Sequence, residues 1–192
     1  MSSAEILLPT ARTPQLSDEE LEAAVRGALP FAPEDAVWRD RGDLSVRVGI
    51  EDLHRSIAAL RDESAVEFKL LVSITVVHWP EREREFELVY HLRSLSKNVF
   101  MALKTDIAMG ENAPTVSDLY LTADWQEREC YDMFGIEFDG HPDLRRILMP
   151  QPYPWFPMRK DFPLEGPDFP IDAYQTDALG KVDPDDFWGD AR

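Results

Sequence analysis

The sequence predicts a two-layer α+β sandwich, ordered helix, two strands, helix, three strands, followed by one more helix and an extended proline-rich C-terminal arm. Two segments in the first third of the chain repeat apolar residues at helical spacing. Three runs between Phe68 and Ile107 are rich in β-branched and aromatic residues, as strands are. Eight of the fifteen prolines crowd between Pro142 and Pro170, where they forbid regular helix or central strand.

The elements follow in order. Ser17 with Glu20 three residues on, then Leu21, Val25 and Leu29, reads as a capping box opening a short amphipathic helix, and Pro30 and Pro33 end it. Residues 36–39 and 44–48 flank Asp40-Arg41-Gly42-Asp43, the pattern of a hairpin with a glycine-containing loop. Ile50, Leu53, Ile57 and Leu60 mark a second helix ending near Ser64. The run 68–79 is almost continuously apolar, which predicts a strand covered on both faces and closed by Pro80. Residues 85–93 and 98–107 complete a meander, with Phe86, Leu88, Tyr90 and Leu92 on one face. A helix is expected over 122–134, with Gly135 placed to end it. This divides the chain into an irregular N-terminus (1–16), an α+β domain (17–149) and an arm (150–192).

Composition excludes several classes of function. Twenty Lys plus Arg against thirty-seven Asp plus Glu leave a net charge of -17. A nucleic-acid partner is not expected, because nothing in that balance would release condensed counterions, and an anionic membrane surface would repel the chain. No apolar run approaches the roughly 18 residues of a spanning helix; the longest, 70–77, is broken by Ser73 and Thr75. Ile6-Leu7-Leu8 lacks a basic leader, so no secretory signal is read. The single cysteine, Cys130, can form no intrachain disulfide and completes no iron–sulfur or other Cys-based metal site within the chain, and a reducing compartment fits it. The last 28 residues, 165–192, carry eight acids and two bases, 2 - 8 = -6, yet keep Phe169, Tyr174, Phe187 and Trp188. They read as an arm that orders on another surface.

The densest charge cluster is Glu127, Arg128, Glu129 and Asp132, followed by His141, Arg145 and Arg146. At about 100° per residue, Arg128, Glu129 and Asp132 share a sector with Trp125, whereas Glu127 falls among Cys130, Tyr131, Met133 and Phe134. Glu127 is therefore expected to be desolvated and to pair with arginine, Arg145 and Arg146 being the natural donors. A structural or interface ion network is the reading for the whole cluster. Paired general acid–base carboxylates would need a shared cleft and split pKa values, which this pattern does not suggest. His141 with Asp143 is a poor metal signal, because His54, His78 and His91 lie in separate elements. No phosphate loop, dinucleotide fingerprint or nucleophile elbow occurs. Arg159, Lys160 and Asp161, beside Trp155 and Phe156, form a basic and aromatic island that either docks on an acidic partner or folds back on the domain's own acids.

The run from Asp124 through Ile136, continuing through Gly140-His141-Pro142-Asp143-Leu144-Arg145-Arg146-Ile147-Leu148, strongly resembles the signature of the 30-kDa-type subunit of respiratory complex I, the proton-pumping NADH:quinone oxidoreductase. Ile74-Thr75, Pro80 and Phe86 through Leu92 extend it upstream, and Met158-Arg159-Lys160-Asp161-Phe162-Pro163 downstream. The match covers roughly half the chain. Where the family often places Gly-His before the proline of the last motif, this chain has Trp155-Phe156. The resemblance implies a non-catalytic subunit of the peripheral arm with no catalytic, cofactor or metal residues of its own. FMN, iron–sulfur clusters and quinone are then held by the assembled complex, which draws electrons from NADH. It implies contact with neighbouring subunits, above all the one that helps form the quinone site, and a place on the cytoplasmic face of the bacterial inner membrane. Glu127, Arg128, Glu129, Asp132, His141, Arg145, Arg146, Arg159, Lys160 and Asp161 are the expected structural or partner-interface residues. The alternatives are the equivalent subunit of a group 4 hydrogenase or F420H2 dehydrogenase and, from another class, a stand-alone acidic hydrolase using Glu127, Glu129 and His141.

Overall fold

The computed structural model describes residues 16–150 and 153–164; the expectations for the N-terminal stretch and for the acidic, aromatic residues 165–192 lie outside the described residues. The chain runs α1 (Asp18–Ala28), β1 (Val37–Asp40), β2 (Asp43–Arg47), α2 (Leu53–Asp62), β3 (Leu70–His78), β4 (Phe86–Ser94), β5 (Val99–Ile107), β6 (Ala113–Pro114), α3 (Ala123–Phe134) and β7 (Phe138–Asp139). The first helix opens as expected. Ser17 Oγ accepts the Glu20 N–H, and Glu20 Oε2 accepts the Ser17 N–H in return.

The hairpin is tighter than its sequence suggests. Asp40 pairs directly with Asp43, leaving a two-residue turn, Arg41 (φ 52°) and Gly42 (φ 98°). Two consecutive left-handed residues match the right-handed twist of the flanking strands, so the strands extend one residue further into the turn. The five-stranded sheet has the order β1-β2-β5-β4-β3. The β3-β4-β5 meander is antiparallel, and the hairpin joins it with β2 parallel to β5.

Leu88, Tyr90 and Leu92 of β4 lie opposite Thr105, Leu103 and Met101 of β5 and opposite Val76, Ile74 and Leu71 of β3. Leu21 and Val25 of α1 and Leu53, Ile57 and Leu60 of α2 join this sheet face in one core. β3 is not covered on both faces as its apolar run implies. It is an edge strand, it alternates, and Val72 beside its bulge is 46% exposed. α3 lies against it, and Gln126 Oε1 accepts the Ile74 N–H on the strand's outer edge. On the opposite sheet face Glu87 is buried among Arg47 Nη2 (2.8 Å), Arg82 Nη1 (3.4 Å) and Lys104 Nζ (3.4 Å). Among the described residues no helix is long and apolar enough to cross a membrane.

Candidate functional site: the charged helix and the chain it holds

α3 ends at Gly135, whose φ of 75° is the left-handed cap that glycine takes without a Cβ penalty, and whose N–H donates to Tyr131 O. The chain then turns back along the helix, and Asp132 holds it there. The Asp132 carboxylate is fully buried. It accepts Arg146 Nη1 at 2.6 Å and the N–H groups of Ile147 (3.0 Å), Leu148 (2.6 Å) and Met149 (2.9 Å). Burial by itself would raise its pKa. The amides of Met149 and Leu148, the Arg146 guanidinium and the Ile147 amide outweigh that and hold it below the usual carboxylate range. Arg146 also donates to Asp132 O and, through Nη2, to Trp155 O, so one guanidinium ties helix, loop and arm together.

Glu127 is buried, as expected, but its donors are not arginines. The carboxylate accepts the Thr115 hydroxyl and the Val116 N–H at 2.8 Å, from the segment after β6. The reason is position on the helix. Glu127 faces that segment in the first half of α3, while Arg146 is drawn to Asp132 near the C-terminal end and Arg145 pairs outward with Asp143 at 2.7 Å. Burial pushes the Glu127 carboxyl up to about 7; the Thr115 and Val116 donors offset only part of this, and the charges of Asp118 and Asp124 add to it.

Arg128 and Asp132, placed by the helical wheel in the sector of exposed Trp125, are both buried. The loop pinned by Asp132 covers that side: Arg128 Nε donates to Arg145 O at 3.1 Å, and its guanidinium lies 4.9 Å from the centre of the Trp125 ring. Glu129 remains exposed. The His141 side chain is enclosed. Its Nδ1 accepts the Asp143 N–H, so the proton sits on Nε2, which donates to Asp124 O at 3.1 Å and lies 3.9 Å from Glu127 Oε2. Buried Glu127 and exposed Glu129 thus share no cleft, and the hydrolase arrangement is not assembled. Among the described residues no group of three or more His, Cys, Asp or Glu could hold a metal ion. Cys130 is buried, and burial pushes its thiol far above the usual range, as expected of inert packing.

The basic island folds back onto the domain. Its contacts are carbonyls, rings and a histidine rather than the domain's acids. Arg159 Nε donates to Phe134 O at 2.6 Å, where the negative end of the α3 dipole favours a cation, and Met158 N–H donates to Met133 O. The Arg159 guanidinium lies over the Phe156 and Phe86 rings, and Lys160 N–H donates to His78 Nδ1. Residues 153–164 are therefore seated on this domain itself. Sequence reasoning missed His78, Thr115 and Gln126, whose partners lie 82, 12 and 52 residues away. No local signal marks them.

At Gly135 a Cβ would stand 2.6 Å from both Arg159 Nη2 and the Phe156 ring. Gly135→Ala is expected to combine left-handed strain with this clash, costing about 1–3 kcal/mol. Urea denaturation checks the loss, and faster cleavage of residues 153–164 under limited proteolysis checks that the arm has been displaced.

The sequence profile of the family described as the respiratory-chain NADH dehydrogenase 30 Kd subunit matches residues 46–168. A subunit of the NADH-quinone oxidoreductase of Streptomyces coelicolor is 42% identical over 152 residues, 77% of this chain and 61% of that protein. The subunit of the same name from Rhodobacter capsulatus is 43% identical over 150 residues, 77% of this chain and 75% of that one. Similar solved structures include two at 29% identity. A trypsin-resistant fragment of Nqo5 superposes with a TM-score of 0.57, covering 65% of this chain and 99% of the fragment. A chain of an archaeal respiratory membrane complex, the membrane-bound sulfane sulfur reductase, superposes with a TM-score of 0.65, covering 76% of this chain and 85% of that one. With a profile match over more than half its length, seated on the elements just described, the chain belongs to the 30 Kd subunit family of respiratory-chain NADH dehydrogenase.

Proposed function

We propose that this chain is a non-catalytic scaffold subunit of the peripheral arm of a proton-translocating NADH:quinone oxidoreductase, on the cytoplasmic face of the bacterial inner membrane. It supports electron transfer from NADH through FMN and iron–sulfur centres to quinone without holding any of these groups. One observation carries the reading: the buried charged residues of the signature are engaged in internal pins. Asp132 and Arg146 hold 147–149, Glu127 holds 115–116, and Arg159 caps α3. Side chains arranged in this way shape a surface; they do not converge on a substrate. An iron–sulfur cluster does not fit the donors present, since a lone buried thiol cannot replace the four protein ligands such clusters take. The redox groups then belong to neighbouring subunits. The quinone-site subunit is the expected principal partner, and Glu129, Arg145, Lys160 and Asp161 are the charged residues left to meet it.

A second reading has an observation in its favour. The likeness to a chain of the archaeal sulfane sulfur reductase fits a module used in more than one membrane-bound complex, and the equivalent subunit of a hydrogenase or F420H2 dehydrogenase is the reading it favours. Native mass spectrometry of the assembly captured through this chain decides between them. NADH-oxidising and quinone-site subunits in stoichiometric amounts are the expected result, and hydrogenase or sulfur-reductase subunits would support the second reading. The isolated chain should show no turnover with NADH and quinone, whereas deleting its gene should abolish membrane NADH:quinone activity.

A further inference from the structure

The edge of the seated arm rests on one imidazole. His78, at the C-terminal end of β3, has a side chain that is 2% exposed and a ring stacked on Phe86 at 4.7 Å between centroids. Its Nδ1 lies 2.9 Å from the backbone nitrogen of Lys160. A backbone N–H can only donate, so Nδ1 must offer a lone pair, and the proton of the neutral ring sits on Nε2. Nε2 itself has no hydrogen-bond partner; the nearest carboxylate oxygen is Glu85 Oε2 at 3.5 Å. On the other side, Asp161 Oδ1 stands 4.0 Å from Nδ1.

We propose that His78 is a protonation-controlled latch for residues 153–164. In the neutral form Nδ1 holds the Lys160 amide and seats the arm across β3, β4 and the end of α3. In the protonated form Nδ1 becomes a donor, two N–H groups oppose one another, and the imidazolium turns to the Asp161 carboxylate beside it. The Lys160 peptide must then swing away. The contacts next to it loosen in turn: Met158 N–H to Met133 O, and Arg159 to Phe134 O.

The charged surroundings of His78 favour this exchange. Glu85, just before β4, and Asp161, on the arm, are both placed to accept from an imidazolium. Arg159 lies over the far ring, Phe86, and donates to a carbonyl, while Arg82 of the β3–β4 loop lies over Trp79. The Lys160 side chain is exposed, and from α3 the buried carboxylates Glu127 and Asp132 are turned to the 115–116 and 147–149 segments. Histidine is the side chain whose unperturbed charge change falls between about pH 5 and 8.

Nuclear magnetic resonance of the labelled full-length chain tests it. The nitrogen shifts of the His78 ring report its protonation, and the exchange rate of the Lys160 amide, corrected for intrinsic pH dependence, reports seating. Lys160 protection is expected to fall about tenfold or more as His78 protonates, with the Leu103 amide at the centre of the sheet unchanged. His78→Asn keeps an acceptor near the Nδ1 position that cannot be protonated, and should make Lys160 protection independent of pH. Asp161→Asn removes the negative charge that attracts the imidazolium, leaving only a neutral amide oxygen, and should move the midpoint to lower pH. The latch is overturned if Lys160 protection stays constant while the ring titrates, or if the ring does not titrate between about pH 5 and 8. A pH-dependent loss that persists in His78→Asn overturns it too, as does a midpoint unmoved in Asp161→Asn should the histidine variant fail to fold.

Discussion

Asp132→Asn is expected to lower folding stability by about 3–5 kcal/mol, because removing one partner of a buried pair strands the other. The carboxylate serves four donors at once: Arg146 and the amides of Ile147, Leu148 and Met149. An asparagine keeps one carbonyl oxygen and presents an NH2 to donors that need an acceptor. Glu129→Gln, on the exposed side of the same helix, should stay within about 0.5 kcal/mol of the parent. The pH dependence has a definite sign. The folded-state value of Asp132 lies below that of the free carboxyl, so its contribution is present above the free value and is lost as pH falls through the folded one. Urea denaturation of the two variants, with amide exchange at 147–149, measures this. Equal losses in both would show that the pins around Asp132 are solvated.

Glu127→Gln is expected to act in the opposite sense. The Glu127 carboxyl titrates near 7 when folded against an ordinary 4.5, so between these values the folded state binds more protons than the unfolded one. Stability must therefore fall as pH rises from about 4.5 to 7, by about 3 kcal/mol at most, and level off above. Glutamine removes the titration and keeps an acceptor for the Val116 N–H and a partner for the Thr115 hydroxyl. At pH 8 the variant should be the more stable protein, and near pH 4.5 the advantage should vanish. Denaturation curves collected at several pH values decide it, and parallel pH profiles for parent and variant would show that Glu127 is already ionised in the fold. The arginine pairing suggested by sequence would have made the same substitution damaging, so the sign of this one measurement separates the two environments.

Elements were legible where the signal is local. Ser17 and Glu20 announced their own cap, Gly135 its left-handed terminus, and Leu88, Tyr90 and Leu92 the buried side of β4, since each depends on residues within a turn or on strict alternation. Strand β3 departs from its reading because an apolar run cannot say what distant segments will pack on its faces and edge. The parallel join of β2 to β5 was invisible for the same reason: Leu44 and Met101 meet only when the whole sheet closes.

The candidate site divides along the same line. The acidic composition, the single thiol, the charged signature on α3 and the proline-ridden stretch that cannot continue a helix are all written along the chain. The inward position of Glu127 is legible too, because it falls among the apolar residues Cys130, Tyr131, Met133 and Phe134 on the helix. Which charge meets which was decided only by tertiary structure. Arg146 reached Asp132, Glu127 received neutral donors from 115–116, and Lys160 found His78 across 82 residues of chain. The physical reason is the short range of a hydrogen bond: a donor must come within about 3 Å and be aligned, and that depends on how distant segments pack rather than on spacing along the chain.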